Sequence, residues 1–346
     1  MTLTETLIHL IEIGSVTGNE KELTDHLASR WSDRPIARNG NNLVVGASGD
    51  RPLVLLVGHL DTVPYQGQPP AHLADGRVNG VGASDMKSGL AVMVHLLDDS
   101  DIAEGQFDVV GLFYDREEGP AADNGLEPTL DAFPWLGEAD FAIVMEPTDL
   151  ELQLGCQGVL NATVTFGGRS AHSARPWLGE NAVTKAGEWL AMLHHRAPEP
   201  FLVSGLEYLE VFSVTTAHGG IARNVIPPSF EINLNHRFPP CFTLEEAEHR
   251  LREIAQPADE VVVLDRAPAA PVPEGHPLLD RLERATGAPR TPKQAWTDVA
   301  RLTARGIPAV NYGPGEVAQA HQATESVAAA NLDLAMAAMK RFLTEA

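Results

Sequence analysis

The chain has 346 residues, and its 25 Lys and Arg against 47 Asp and Glu give a formal charge of −22 with His neutral. At about 100 to 200 residues per domain, this length predicts two domains, each able to bury a core. With 44% apolar and 21% charged residues the chain is neither a disordered polyanion nor a fibre, and its acidity without any Lys/Arg cluster argues against nucleic acid or anionic membrane surfaces as partners.

The segment Met1 to Gly14 lacks a basic n-region and carries Glu5 and Glu12, so it reads as neither a secretory signal nor a transit peptide. No run of about 18 apolar residues offers a membrane span. Cys156 and Cys241 cannot build a disulfide framework, which fits a reducing compartment and predicts a cytoplasmic protein.

Apolar runs at Leu53 to Gly58, Phe107 to Tyr114 and Phe141 to Met145 read as buried strands, and Met86 to Leu97 has the 3.6-residue spacing of a helix. This alternation predicts an α/β catalytic domain with a mostly parallel sheet flanked by helices, beginning with residues 1–155. From Cys156 the pattern becomes two-residue alternation at Leu160 to Phe166, Tyr208 to Thr215 and Phe230 to Phe238. Helical patterns lie between, at Glu180 to His194 and Leu244 to Ile254, so residues 156–265 read as an inserted α+β domain. After the Pro-rich stretch Arg266 to Pro277, helices are expected at Leu278 to Thr286, Thr297 to Arg305 and Ala329 to Leu343, with a strand at Pro308 to Asn311. Residues 266–346 are therefore expected to return to the first domain.

Each strand of the first part ends in a polar cluster: His59-Leu60-Asp61, then Asp115-Arg116-Glu117-Glu118, then Glu146-Pro147-Thr148-Asp149. In open α/β sheets ligands bind beyond the carboxyl ends of the strands, where such clusters can meet. With Asp85 and His321 they offer the imidazoles and carboxylates that a pair of metal ions needs, one carboxylate bridging. Asp85 suits the bridge because it lies in the tight Gly82-Ala83-Ser84-Asp85 turn just before a helix. Asp61 can accept the free N–H of the His59 imidazole and fix its tautomer. Of the adjacent Glu117 and Glu118, one can bind metal while the other moves protons.

The segments Gly58-His59-Leu60-Asp61-Thr62-Val63-Pro64, Gly82-Ala83-Ser84-Asp85-Met86-Lys87-Ser88-Gly89, Glu117-Glu118, Met145-Glu146-Pro147-Thr148 and Ala320-His321 resemble the motifs of the di-zinc aminoacylase and glutamate carboxypeptidase family. Within it, Phe113 to Glu118, Gly155 to Gly158, Ala171 to Gly179 and Trp296 to Arg301 are most similar to the actinobacterial succinyl-diaminopimelate desuccinylases. The resemblance implies two Zn2+ ions, with Co2+ able to replace them: one on His59 and Glu146, one on Glu118 and His321, and Asp85 between. It implies Glu117 as general acid/base, Asp61 as partner of His59, and His172 as an oxyanion donor reaching the partner subunit's site. It further implies a homodimer through the inserted lid domain, and a small anionic N-acyl amino acid as substrate. Asn224 and Arg237 match positions that hold substrate carboxylate and amide groups, and Thr297 falls in a loop for the far end of the substrate. Arg175 reads equally as a carboxylate anchor or a solvated surface residue. Ser88 stands where many members carry Gly.

The implied reaction is hydrolysis of N-succinyl-L,L-diaminopimelate to succinate and L,L-diaminopimelate. Deacylation of an acetylated amino acid or dipeptide cleavage on the same scaffold is the alternative, and a binding protein that keeps the fold is a third. His194 and His195 at a helix end, and His9, His26, His95 and His249 within amphipathic patterns, read as structural. His218 is read as lying in a flexible loop, where a solvated residue is the favoured reading and a substrate contact the alternative. No dinucleotide fingerprint or P-loop occurs.

Overall fold

In the computed structural model, which describes Met1–Glu345, all seven residues of the strand Leu53–His59 are buried, as a strand covered on both faces must be. It pairs in parallel with Asp108–Tyr114 on one side and Phe141–Val144 on the other, and Phe141–Val144 pairs in parallel with Ala309–Asn311. Flanking strands, antiparallel where they join the core, extend it to an eight-stranded sheet. Because the four central strands run the same way, their carboxyl ends emerge along one edge. His59, Asp115 and Met145 therefore arrive together.

The helix Ser88–Asp98 lies against those strands at very close range. A Cβ on Gly58 would come within 2.7 Å of the Met86 and Leu90 side chains, and one on Gly89 within 2.2 Å of the Met145 carbonyl oxygen. Only glycine permits this approach, and it sets the turn bearing Asp85 beside the strand ends bearing His59 and Glu146. The helix was expected from Met86 but starts at Ser88. Residues Ala83–Lys87 form a wider turn, in which Asp85 (φ −118°, ψ 96°) is not helical.

A small sheet of three-residue strands, His72–Ala74, Arg77–Asn79 and Ser326–Ala328, was not foreseen. It pairs Ser326 with Asn79 and so draws the chain just after His321 against the chain just before Asp85.

The chain forms two compact units. The first contains Met1–Leu154, Pro273–Thr291 and the residues from Arg301 onward; the second contains Gly155–Val272 and Pro292–Ala300. The chain beyond 265 was expected to rejoin the first unit in one piece, whereas Pro292–Ala300 stays with the second. Hydrogen bonds hold it there: Gln157 N donates to Lys293 O (3.3 Å), Leu209 N to Gln294 Oε1 (3.3 Å) and Trp296 Nε1 to Pro268 O (3.2 Å).

The second unit is a five-stranded antiparallel sheet, and its strand Gly158–Gly167 alternates strictly between buried and half-buried residues. The buried set, with Phe230, Leu234 and Phe238, packs against Trp189, Ala247 and Leu251 of the covering helices. Asn161, Asn233, Asn235 and Arg237 occupy the opposite face. The helix expected over 180–194 is split into Ala182–Lys185 and Gly187–His195. The strand Glu199–Val203 escaped the sequence reading, although Ser204 and Gly205, at φ 55° and 78°, form the two-residue turn that such a hairpin needs.

Candidate metal centre

Six side chains of the first unit converge at the carboxyl edge of the parallel strands. Their ligand atoms form three groups able to hold a metal ion: His59, Asp85 and Glu146; Asp85, Glu118 and His321; and His59, Glu117 and Glu118. Asp85 belongs to the first two. Its Oδ1 lies 3.2 Å from His59 Nε2, and its Oδ2 lies 3.5 Å from His321 Nε2. Glu146 Oε1 stands 3.8 Å from His59 Nε2, and Glu118 Oε1 stands 3.0 Å from His321 Nε2.

These spacings suit a divalent ion. Nitrogen and oxygen ligands at about 2.0–2.2 Å from one ion, at tetrahedral angles, stand roughly 3.3–3.6 Å apart, and the pairs above bracket that range. The donor chemistry agrees, since hard carboxylates mixed with imidazole are borderline ligands and no thiol takes part. Four carboxylates around two imidazoles also leave net negative charge for a cation to neutralise.

The electrostatics follow from the same crowding. Burial alone would depress the His59 pKa, but its hydrogen bonds to Asp61 and Asp85 and the charges of Glu117 and Glu146 hold it well above the ordinary value. Hydrogen bonds to Asp85 and Glu118 push His321 up to about 10. Burial favours the neutral form of Asp85, yet His321 and His59 outweigh it and hold the carboxyl below the usual range.

Asp61 is wholly buried, and its pairing differs from the one expected. The His59 ring nitrogen Nδ1 lies 3.0 Å from the main-chain carbonyl oxygen of Asp61, while the Asp61 carboxylate is 3.5 Å away. That carboxylate instead accepts the Glu117 amide (2.9 Å), the Glu118 amide (3.0 Å) and the Thr17 hydroxyl (2.9 Å). Burial works to raise its pKa, but His59, Thr17 and the Glu117 amide lower it overall.

Two buried residues near the site carry roles the sequence did not reveal. Lys87 Nζ donates to the carbonyls of Leu10 and Ile13, both at 2.9 Å, and burial pushes its pKa down to about 7. Glu325 accepts the amides of Gly82, Ser84 and Asp85 at 2.8–2.9 Å. Its only signal in the sequence is its place four residues after His321.

The remaining expected residues belong to the second unit. His172 makes a bridge with Val225, Ser173 N donates to Asn224 O (3.0 Å), and the His172 carbonyl accepts the Arg175 amide (2.8 Å), so the His172 and Asn224 loops are fastened together. His172, Arg175 and Asn224 are exposed. Arg237 is half-buried, and burial lowers its pKa; among the described residues, its guanidinium hydrogen-bonds only to Asn235 (Nε to Oδ1, 3.1 Å). Thr297 is buried, and among the described residues its hydroxyl has no hydrogen-bond partner. Cys156 is buried and Cys241 exposed, both as free thiols. No helix of the described residues is long and apolar enough to cross a membrane.

The family model described as Peptidase family M20/M25/M40 matches residues 55–345. A relative from Mycobacterium tuberculosis, named putative succinyl-diaminopimelate desuccinylase DapE, is 38% identical over 96% of this chain and 96% of its own. A succinyl-diaminopimelate desuccinylase from Corynebacterium glutamicum is 36% identical over 97% of this chain and 94% of its own. Among solved structures, a tripeptidase from Staphylococcus aureus superposes with a TM-score of 0.79 at 21% identity, covering 99% of this chain and 96% of that one. A dinuclear metal binding M20 peptidase from Bacillus subtilis superposes at 0.69 with 17% identity, covering 99% and 96%. The structural likenesses establish the fold, and the full-length sequence matches go further: this chain belongs to the M20/M25/M40 peptidase family.

Proposed function

We propose that this protein is a metal-dependent amide hydrolase that converts N-succinyl-L,L-diaminopimelate and water to succinate and L,L-diaminopimelate. The observation that carries the chemistry is Asp85, which turns one carboxylate oxygen toward each of two histidines. The identity to two desuccinylases over nearly the whole chain supports the substrate.

In this reading His59, Asp85 and Glu146 would hold one zinc ion and Asp85, Glu118 and His321 a second, with cobalt able to replace them. When bound, such ions act as Lewis acids toward the amide carbonyl and the attacking water. Glu117 removes a proton from the water as its oxygen bonds to the carbonyl carbon, then gives that proton to the nitrogen as the C–N bond breaks. Asp61 holds Glu117 in place through its amide. His172, supplied by the partner subunit of a homodimer formed through residues 156–265, donates to the developing oxyanion. Arg237 binds a substrate carboxylate, a role suited to a half-buried guanidinium with unused donors. Asn224, Thr297 and Arg175 complete the substrate contacts, Thr297 with a hydroxyl that otherwise costs about 1–3 kcal/mol to bury unpaired. The reaction takes place in the cytoplasm.

The test is turnover of a panel of N-acyl amino acids after zinc or cobalt reconstitution. The succinyl substrate is expected to exceed acetyl-ornithine, acetyl-lysine and dipeptides in kcat/KM. Preference for an acetyl compound or a dipeptide overturns the substrate assignment, and no turnover of any amide by fully loaded protein overturns the hydrolase.

A further inference from the structure

We infer that Glu325 is a positioning residue for the metal centre, holding the Asp85 turn at its correct distance from His321. The inference rests on reading the cluster as a metal centre. Glu325 is 2% exposed, and its carboxylate is used up by main-chain donors: Oε1 accepts the amides of Ser84 and Asp85, both at 2.9 Å, and Oε2 accepts that of Gly82 at 2.8 Å.

Those amides need such an acceptor. They lie in the non-helical turn before the helix Ser88–Asp98, where the ordinary helical carbonyls are not in line. The two oxygens of one carboxyl group offer enough lone pairs to accept all three N–H groups at once. The backbone of Glu325 adds two more ties: Gly80 N donates to its carbonyl (3.1 Å), and its own amide donates to Gln322 O (3.1 Å). Ser84 reinforces the junction, since its hydroxyl donates to Ser326 O (3.2 Å) and accepts the Glu316 amide (2.9 Å).

One side chain therefore joins two segments about 240 positions apart, and each segment carries a ligand of the same metal-holding group: Asp85 on one, His321 on the other. Ligands held at the right spacing in advance cost less order on binding the ion. Removing the hub is expected to weaken metal binding before it unfolds the domain.

The experiment begins with hydrogen–deuterium exchange on the metal-free wild-type chain, read over residues 80–87. Slow exchange there is expected. Exchange as fast as an exposed loop, slowing only after metal is added, overturns the inference. The second arm measures Co2+ binding to Glu325→Gln and Glu325→Asp by visible absorption and chelator competition. Gln turns an N–H donor toward the amides, and affinity should fall about 10- to 100-fold. Asp keeps the carboxyl acceptor with shorter reach and should recover part of the loss, while far-UV circular dichroism stays at the wild-type value. Folded variants that both bind Co2+ as tightly as wild type overturn the inference, and if neither variant folds the exchange measurement alone decides. Wild-type protein that binds no Co2+ overturns the metal-centre reading instead, an outcome distinct from equal affinities.

Discussion

Asp61, wholly buried, accepts the main-chain amide of Glu117 on Oδ1 at 2.9 Å. The carboxylate beside the His59 imidazole thus also fixes the turn that presents Glu117 and Glu118. Asp61→Asn would point an N–H at one of these amides. We predict a fall in kcat of about 10- to 100-fold with little change in secondary structure, checked by steady-state kinetics and circular dichroism on the same preparations. An unchanged kcat would remove Asp61 from the mechanism.

Glu117→Gln is expected to keep its metal and lose turnover by roughly 10²- to 10⁴-fold, the usual worth of a general acid/base. Metal content by plasma emission and single-turnover rates check the two halves separately. Mixing Glu117→Gln subunits with His172→Ala subunits should then restore part of the activity, because one site of each hybrid dimer has both groups intact. Proven subunit exchange with no recovery would count against action of His172 across the dimer.

Arg237 tests the substrate. A charge-assisted hydrogen bond is worth about 1.5–3 kcal/mol, so Arg237→Met should raise KM for the succinyl substrate roughly 10- to 100-fold. Arg237→Lys should recover only part, since ammonium cannot reproduce the planar fork. Equal effects on succinyl and acetyl substrates would place Arg237 away from the acyl carboxylate.

A separate buried cluster in the second unit predicts acid sensitivity. Burial works to raise the Glu210 pKa, but hydrogen bonds from Arg250 and His236 outweigh it and lower it from 4.5 to about 2. Burial lowers the His236 pKa below 6.5, despite a 2.8 Å contact with Glu210. Both groups bind protons more weakly in the folded state, so both contribute stability at neutral pH that is lost on acidification. The loss starts as pH falls through 6.5, where unfolded His takes up protons, and steepens from 4.5 toward 2 as Glu210 does the same. Urea unfolding at a series of pH values should show this two-step decline. Arg250→Met removes the nearer of the two guanidinium groups around Glu210, leaving Arg196 3.8 Å away, and should cost about 1–3 kcal/mol at pH 7 and shift the acid step upward. A flat stability between pH 7 and pH 3 would contradict the assignment.

Several features were readable because their cause is local. His59, Glu117, Glu118 and Glu146 each follow an apolar run that can only be a buried strand, so their place at one sheet edge comes from parallel pairing alone. The second unit announced itself through strict two-residue alternation from Leu160 to Phe166. Other features have distant causes. Helix onset at Ser88 rather than Met86 reflects non-helical backbone at Asp85 and Met86, in a turn whose Gly82, Ser84 and Asp85 amides bond to the distant Glu325. The strands His72–Ala74 and Ser326–Ala328 are three residues each, too short to carry a period. Pro292–Ala300 stays with the second unit through hydrogen bonds to residues up to about 140 positions away, which no composition shift marks.

By itself, then, the amino-acid order determined which residue types could meet at the strand ends and what chemistry they could do, since apolar periodicity and ligand identity are written residue by residue. Only the tertiary structure decided that the Asp61 carboxylate serves the Glu117 and Glu118 amides while its carbonyl faces His59, and that Glu325 joins the Asp85 turn to the His321 segment. Those choices depend on which main-chain donors are left without partners once the chain has packed, and that is a property of the folded backbone.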